Sequence, residues 1–302
     1  MEIPPAGPHG GDALRLARAL GVRPERVLDL SASLNPVAPP VAEVLGRHLG
    51  ALARYPDPTE ATASLAAAIG VPPERVLLTN GGAEAIALLA AEWPEGWVDE
   101  PEFSLYRRHL GAVTPGSPRW RSNPHNPSGV LAAPDEQADV WDESFYGLGT
   151  GRWTRGDAAA VVVGSLTKLL ACPGLRAGYV VAPDAGLAAR LADRQPRWAV
   201  NGLVGAGLPE LLAAVDLPAW ATRVAALRND LVRLLADHGL CARAADANWV
   251  LVPRADDLRR RLAAHAVLVR DCASFGLPGT VRIAVPDETG LQRLDEALRP
   301  PT

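Results

Sequence analysis

Lys168 stands where an amine could be made nucleophilic. It closes the tetrapeptide Ser165-Leu-Thr-Lys168, directly after the run Ala158-Ala-Ala-Val-Val-Val163, the most apolar strand-like segment of the chain. Partial burial there favours the neutral amine, which is competent to form a Schiff base with a carbonyl compound. Eight residues later comes Arg176. Its guanidinium and the hydroxyls of Ser165 and Thr167 make a donor set suited to a phosphate dianion.

Three further segments carry polar groups at expected strand ends. Asn80-Gly-Gly-Ala-Glu84 lies between a strand-like run and a helix-like one, where free backbone N–H groups and the helix dipole form an anion site. Asn123-Pro-His-Asn-Pro-Ser-Gly129 sets Asn126 between two prolines. Asp142 follows Val140-Trp141, at the end of a strand where α/β sheets bind ligands. Taken singly, each has an ordinary structural explanation: a glycine turn, a proline loop, an N-cap, a surface lysine. Taken in order, they assemble a phosphate cradle, an asparagine able to flank a ring, an acid able to hold a pyridinium proton and an amine.

The elements that position them read as alternating strand and helix, which predicts a mostly parallel sheet covered on both faces. Strands are expected at 75–79, 158–163 and 177–182, with a helix at 82–91. Asp12 is expected to cap a helix over 13–20, and further helices are expected at 41–53 and from Thr59 to Gly70. After Pro209 a long helical stretch to about 238, strands near 249–252, 267 and 281, and a helix at 256–264 suggest a smaller α+β domain. The domain organisation expected is an amino-terminal segment (1–54) contributing to the small domain, a large domain (55–212) and a carboxy-terminal small domain (213–302).

Composition narrows the classes. The 302 residues are 48% hydrophobic and 21% charged, with a formal charge of −4 and no long basic or acidic block. Neither nucleic acid nor an anionic membrane surface is called for. The amino terminus lacks a basic and apolar leader pattern, and no apolar run approaches the roughly 18 residues that span a bilayer, so a cytoplasmic address is expected. Cys172, Cys241 and Cys272 are odd in number and far apart; they are read as reduced thiols, and no metal site is expected.

Together these motifs resemble fold-type I pyridoxal-phosphate enzymes of the class I/II aminotransferase family. Ser165-Leu-Thr-Lys168 through Pro173-Gly-Leu-Arg-Ala-Gly-Tyr179 carries the resemblance most specifically, supported by Asn126-Pro-Ser-Gly129, Asp142-Glu-Ser-Phe145 and Gly81-Gly-Ala-Glu84. It implies an aminotransferase-like three-layer αβα large domain with a smaller α+β domain, pyridoxal 5'-phosphate as cofactor, and Lys168 as its anchor. Gly82 and Ala83 would offer N–H groups to the cofactor phosphate, Phe103 would stack on the ring, Asn126 would bond its phenolic oxygen, and Asp142 would pair with the ring nitrogen. Tyr55 resembles a tyrosine that reaches the phosphate from a partner subunit, which implies a homodimer with shared sites. Arg282 matches a substrate-carboxylate arginine, and Arg270 one that meets a substrate phosphate.

Within the family two branches are nearest: histidinol-phosphate aminotransferases and the threonine-phosphate decarboxylases of cobalamin synthesis. His9-Gly-Gly-Asp12 resembles a substrate-phosphate segment of the decarboxylases, and Ser33-Leu-Asn-Pro36 a loop that brings Asn35 to the substrate. Gln195-Pro-Arg-Trp-Ala-Val-Asn201 and Arg270-Asp-Cys272 read closer to the same branch. Phe145 stands where the transaminases have a tyrosine. The resemblance thus implies a small phosphorylated amino acid as substrate, decarboxylated or, in the alternative, transaminated; the other reading is a non-catalytic binding or structural subunit of this fold. The chain departs from the pattern at 109–123 and 126–142, both shortened, so at least one βα unit is expected to be trimmed.

Overall fold

A computed structural model describes residues 3–7 and 9–300. Its strands, in chain order, are β1 (Leu28–Leu30), β2 (Val76–Asn80), β3 (Glu95–Val98), β4 (Ala112–Val113), β5 (Arg119–Ser122), β6 (Val140–Asp142), β7 (Val161–Ser165), β8 (Ala177–Val181), β9 (Arg243–Ala244), β10 (Trp249–Val252), β11 (Val267–Asp271) and β12 (Val281–Ala284). The chain divides into two compact units. One holds Met1–Val37, Pro127–Val130 and Thr222–Thr302; the other holds Ala38–Asn126 and Leu131–Ala221.

The larger unit is built on a seven-stranded sheet in the order β2-β8-β7-β6-β5-β3-β4. Every pairing is parallel except the two made by β8, which runs against β2 and β7. Strands β6 and β8 are buried along their whole length, as is β7 up to Gly164, the signature of a sheet covered on both faces. Side chains alternate between those faces. Trp120, Val140, Val161 and Val163 meet Ala85, Ile86, Leu88 and Leu89 of the helix Gly82–Glu92 on one side. By the same alternation Ser122 shares the face of Trp120, and Asp142 the face of Val140. This is an α/β layer structure, as expected.

Local chemistry moved several element boundaries. The alanines expected to open β7 lie in a turn closed by Ala160 N–H to Asp157 O (3.2 Å), and the strand begins at Val161. The helix expected after Pro209 begins earlier, at Gly202, because the Asn201 side chain accepts from Leu203 N–H and Val204 N–H and caps it; Pro209 sits inside Gly202–Ala213. Asp12 does precede Ala13–Leu20, but its carboxylate accepts from Gly7 N–H (3.0 Å) and caps nothing. Residues 38–54, expected with the amino-terminal segment, cluster with the larger unit, where Gly207 and Gly202 give room for Leu45 and Ala51.

The shortened region keeps its strands and lacks helices: residues 114–118 and 123–139 carry none. Arginines close the second connection. Arg155 donates to Ala133 O, Pro134 O and Glu136 O, pairs with Asp157 at 2.9 Å, and lies over the Trp141 ring at 4.8 Å. Arg119 and Arg121 both reach Glu136 at 2.9 Å.

The smaller unit has a five-stranded sheet, β1-β11-β12-β10-β9, with β1 parallel to β11 and the other pairs antiparallel. Its core joins Val250, Val252, Val269 and Ile283 to Leu227, Leu231 and Leu235 of the helix Leu217–Asp237. Pro127–Val130 docks in this unit through Trp249 Nε1–H to Pro127 O (2.9 Å) and Asp246 and Ala247 N–H to Gly129 O (3.0 Å each). Among the described residues no single helix is long and apolar enough to cross a membrane, and the three cysteines are free.

Tyr179 on β8 lies over Gly164, its cross-strand partner on β7, so closely that a Cβ at Gly164 would come 2.0 Å from the ring. Gly164→Ala is therefore expected to lower stability by about 1–3 kcal/mol through overpacking, read as a reduced midpoint in urea unfolding. Wild-type stability would contradict this seating of the ring.

Candidate active site

Because β2, β5, β6 and β7 run in parallel, their carboxyl ends share one edge of the sheet, and the reversed β8 begins there. The register fixes this: Asn80 pairs with Ala177, Ser165 with Gly178, and Ser122 with Asp142. Along that edge lie Gly81-Gly82, Asn126, Asp142, Ser165, Lys168 and Arg176.

A backbone-on-backbone contact builds the cradle. A Cβ at Gly178 would lie 2.4 Å from Gly81 C and 2.5 Å from Gly82 N, and one at Gly81 would lie 2.3 Å from Arg176 Nη2. Only glycine lets β8, the turn and the guanidinium come this close, and Gly81 also holds φ +77°. The turn opens the helix Gly82–Glu92, whose first N–H groups have no intrahelical acceptor. Ser165 is adjacent: its Cβ lies 3.6 Å from the space a Gly82 side chain would take. Arg176, itself at φ +56°, donates to Pro173 O (3.3 Å), and among the described residues no carboxylate pairs with it. The Thr167 hydroxyl donates to Ala177 O at 3.3 Å.

Asp142 is buried on the face where the helix Leu105–His109 packs. Tyr106 OH donates to its Oδ2 (2.8 Å), and Ser144 N–H and Oγ–H donate to Oδ1 (3.0 and 2.6 Å). Burial raises the Asp142 pKa; those hydrogen bonds and the charge of Lys168 pull against it. Burial likewise drives the Tyr106 phenol well above its usual range, so it acts as a donor. Phe103 meets Tyr106 edge-on, with centroids 5.8 Å apart. Lys168, half-buried in the short helix Leu166–Leu169, has Nζ 6.0 Å from the centre of the Phe145 ring. Asn126 is buried, and its N–H donates to Ser122 Oγ (2.8 Å).

Two carboxyls in this region sit high. Glu102 accepts from Ser122 N–H and Oγ–H, and burial raises its pKa to about 7. Glu143 accepts from Arg155 N–H and is likewise raised by burial to about 7.

Five candidates from the sequence remain. Tyr55, 77% exposed, stacks on Trp198, 60% exposed, at 4.5 Å between centroids. Leu49 and Leu52 are also exposed, and a cavity of about 510 Å³ is lined by Tyr55, Arg54 and Gly202. His9, Asn35, Arg270 and Arg282 belong to the smaller unit. There His9, Asp12, Ser31, Arg259 and Arg270 line one small pocket. Arg270 donates to Gly7 O (2.8 Å) and Ser274 Oγ (2.7 Å). Arg282, its cross-strand partner, lies over the Trp249 ring at 4.8 Å, and burial lowers its pKa to about 10. Asn35 is buried and accepts from Val37 N–H (3.0 Å). Tyr106, Ser144 and Glu102 were missed in the sequence. No local signal marks Tyr106 as a donor to Asp142, and the Asp-x-Ser spacing is the one that could have pointed to Ser144.

Comparison with known proteins agrees with this geometry. Residues 120–298 match the family described as aminotransferase class I and II. The chain is 30% identical to a threonine-phosphate decarboxylase of Salmonella typhimurium, over 96% of this chain and 95% of that protein. It is 29% identical to a histidinol-phosphate aminotransferase of Halorubrum lacusprofundi, over 94% and 92%. Among solved structures, histidinol-phosphate aminotransferase from Sinorhizobium meliloti in complex with pyridoxal-5'-phosphate superposes with a TM-score of 0.82, at 18% identity over 98% of this chain and 94% of that one. The chain belongs to the class I and II aminotransferase family, and it is a pyridoxal-phosphate-dependent enzyme. Its own residues fit that cofactor: a glycine cradle beside an arginine that no carboxylate of the described residues pairs with suits the phosphate, and a buried, donor-held acid suits the ring nitrogen.

Since the folded state holds a proton on Glu143 up to about pH 7 and the unfolded state releases it near 4.5, this group's contribution makes stability fall as pH rises through that window and level off above it. Glu143→Gln should remove that fall. The pH 5 to pH 7.5 difference in unfolding free energy should change by at most about 3 kcal/mol relative to wild type. Identical pH profiles would contradict a raised Glu143.

Proposed function

We infer that the chain acts on a phosphorylated amino acid, most simply as a decarboxylase of the threonine-phosphate type. The observation that carries this is Phe145: the ring that Lys168 Nζ meets at 6.0 Å bears no hydroxyl, where the transaminase pattern has a tyrosine. The threonine-phosphate decarboxylase relative supports the same branch. Arg259 and Arg270, which line one small pocket with His9, Asp12 and Asp271, support a phosphorylated substrate as the anion they would take.

Bound to Lys168, pyridoxal phosphate supplies an electron sink for charge developing at the substrate Cα. The chain's residues divide the remaining work. Gly82 and Ala83 N–H groups, Ser165, Thr167 and Arg176 hold the phosphate. Asp142 holds a proton on the ring nitrogen, and Tyr106 and Ser144 keep its carboxylate aimed. Phe103 covers the ring face and Asn126 bonds the ring oxygen. Arg282 takes the substrate carboxylate, its guanidinium steadied by Trp249; Arg270 and His9 take the substrate phosphate, and Asn35 contacts the substrate. Once the substrate amine has replaced it at the cofactor, the freed Lys168 amine would return a proton to Cα. In the transaminase reading, favoured by the histidinol-phosphate aminotransferase relative, the same amine would instead carry a proton between two carbons.

The two reactions separate in one assay. With L-threonine O-phosphate the holoenzyme is expected to release CO₂, and with histidinol phosphate and 2-oxoglutarate to form no glutamate; the reverse pattern would select the transaminase. Asp142→Asn should retain the cofactor yet slow turnover by roughly 10²–10³-fold, and an unchanged rate would remove Asp142 from the mechanism.

The exposed Tyr55–Trp198 stack, with Leu49 and Leu52, supports a homodimer in which Tyr55 serves the neighbouring copy's cradle. Mixing inactive Tyr55→Ala and Lys168→Ala chains should then restore activity through one intact site per hybrid dimer. No recovery on mixing would argue for unshared sites.

A further inference from the structure

Among the described residues the mechanism leaves two buried carboxyls of the larger unit unused, Glu102 and Glu143, and the first of them ties together two segments that carry site residues. Glu102 precedes Phe103, and its side chain has no exposed surface. Burying a carboxyl is costly unless hydrogen bonds hold it, and Glu102 is held at both oxygens. Oε1 accepts from Ser122 N–H (2.9 Å), with Arg121 Nη1 at 3.7 Å. Oε2 accepts from the Ser122 hydroxyl (2.5 Å) and from Phe103 N–H (3.3 Å). With its hydroxyl hydrogen directed at Glu102, Ser122 Oγ presents a lone pair to Asn126 N–H at 2.8 Å. A second tie runs alongside: His125 Nε2 lies 2.8 Å from Pro101 O, and since a carbonyl oxygen only accepts, Nε2–H is the donor.

These contacts join two segments far apart in sequence. Residues 100–104 follow β3 and carry Phe103; residues 123–126 follow β5 and carry Asn126. We propose that Glu102 is a positioning residue of the cofactor site, which through Ser122 sets Asn126 and Phe103 relative to each other. The inference rests on the reading that Phe103 and Asn126 contact the cofactor ring. It assigns Glu102 no contact with cofactor or substrate. The polarity of the relay is what requires a carboxylate. When Glu102 is ionised both its oxygens accept, so that the Ser122 proton points toward Glu102 and its lone pair toward Asn126. Glutamine has nearly the same shape but replaces one acceptor with a donor, which would face an N–H or force the Ser122 hydroxyl to turn.

The test uses full-length protein stripped of cofactor and titrated with pyridoxal 5'-phosphate. Its readouts are the dissociation constant, the pH midpoint of the bound cofactor's visible absorbance, and the melting temperature of the cofactor-free protein. Glu102→Gln and Ser122→Ala are each expected to weaken binding on the order of tenfold, as loss of an orienting outer partner does in metal sites. Each should also move the pH midpoint in the direction that Asn126→Ala moves it. In the Ser122→Ala, Asn126→Ala double variant the midpoint should match that of Asn126→Ala alone, because the relay has nothing left to orient. A lower melting temperature with unchanged binding and midpoint makes Glu102 a structural residue and overturns the proposal, as do additive midpoint shifts. If Asn126→Ala itself leaves the midpoint unmoved, the reading of Asn126 fails and the proposal falls with it. If Asn126→Ala moves the midpoint and Glu102→Gln and Ser122→Ala do not, the reading stands and the proposal alone fails.

Discussion

The approach of strand β8 to the Gly81-Gly82 turn is the contact on which the cradle depends. Backbone meets backbone at Gly178, and the Arg176 guanidinium occupies the space where a Gly81 side chain would lie. Because β8 is antiparallel to its neighbours, it enters the sheet at the edge where β2, β6 and β7 end. That reversal brings Arg176 to the same edge as the helix Gly82–Glu92 and Ser165. A guanidinium, a helix amino terminus and a hydroxyl then converge without any loop having to reach across the sheet.

The two units hold charges of opposite kind by different means. Asp142 is stabilised at the sheet edge by two neutral donors, Tyr106 and Ser144, so its charge stays available to a cationic partner. In the smaller unit, Arg270 and Arg282 sit on paired positions of β11 and β12 and are steadied by aromatic rings: Phe275 at 5.5 and 5.9 Å, and Trp249 at 4.8 Å. Stacking orients a guanidinium without neutralising it. Both arrangements preserve charge for a ligand, which suits a cofactor with a basic nitrogen and a substrate with anionic ends.

Lys168, Asp142, Gly82 and Arg176 were legible in the sequence because each follows or precedes a strongly apolar strand, and a strand end is where α/β sheets expose chemistry. The parallel sheet was legible for the same reason. What stayed hidden depended on partners distant in sequence. Nothing local tells that Tyr106 donates to Asp142, or that Glu102 reaches Ser122, since both contacts form only when β3, β5 and β6 are aligned. Asp12 looked like a cap, but a tertiary N–H at Gly7 won its carboxylate. Asn201 capped a helix that Pro209 suggested should start later. The shortened 123–139 connection holds together through Arg155 and Arg119, whose acceptors are mostly carbonyls and carry no sequence signal.

The central claim is that Lys168 carries the cofactor. It is tested most directly by reducing the pyridoxal-phosphate-loaded protein with borohydride and mapping the modified residue by peptide mass spectrometry. The account predicts one stable pyridoxyl group, on Lys168, the only lysine in the sequence, at a stoichiometry near one per chain. A loaded protein that yields no modified Lys168 peptide would contradict it.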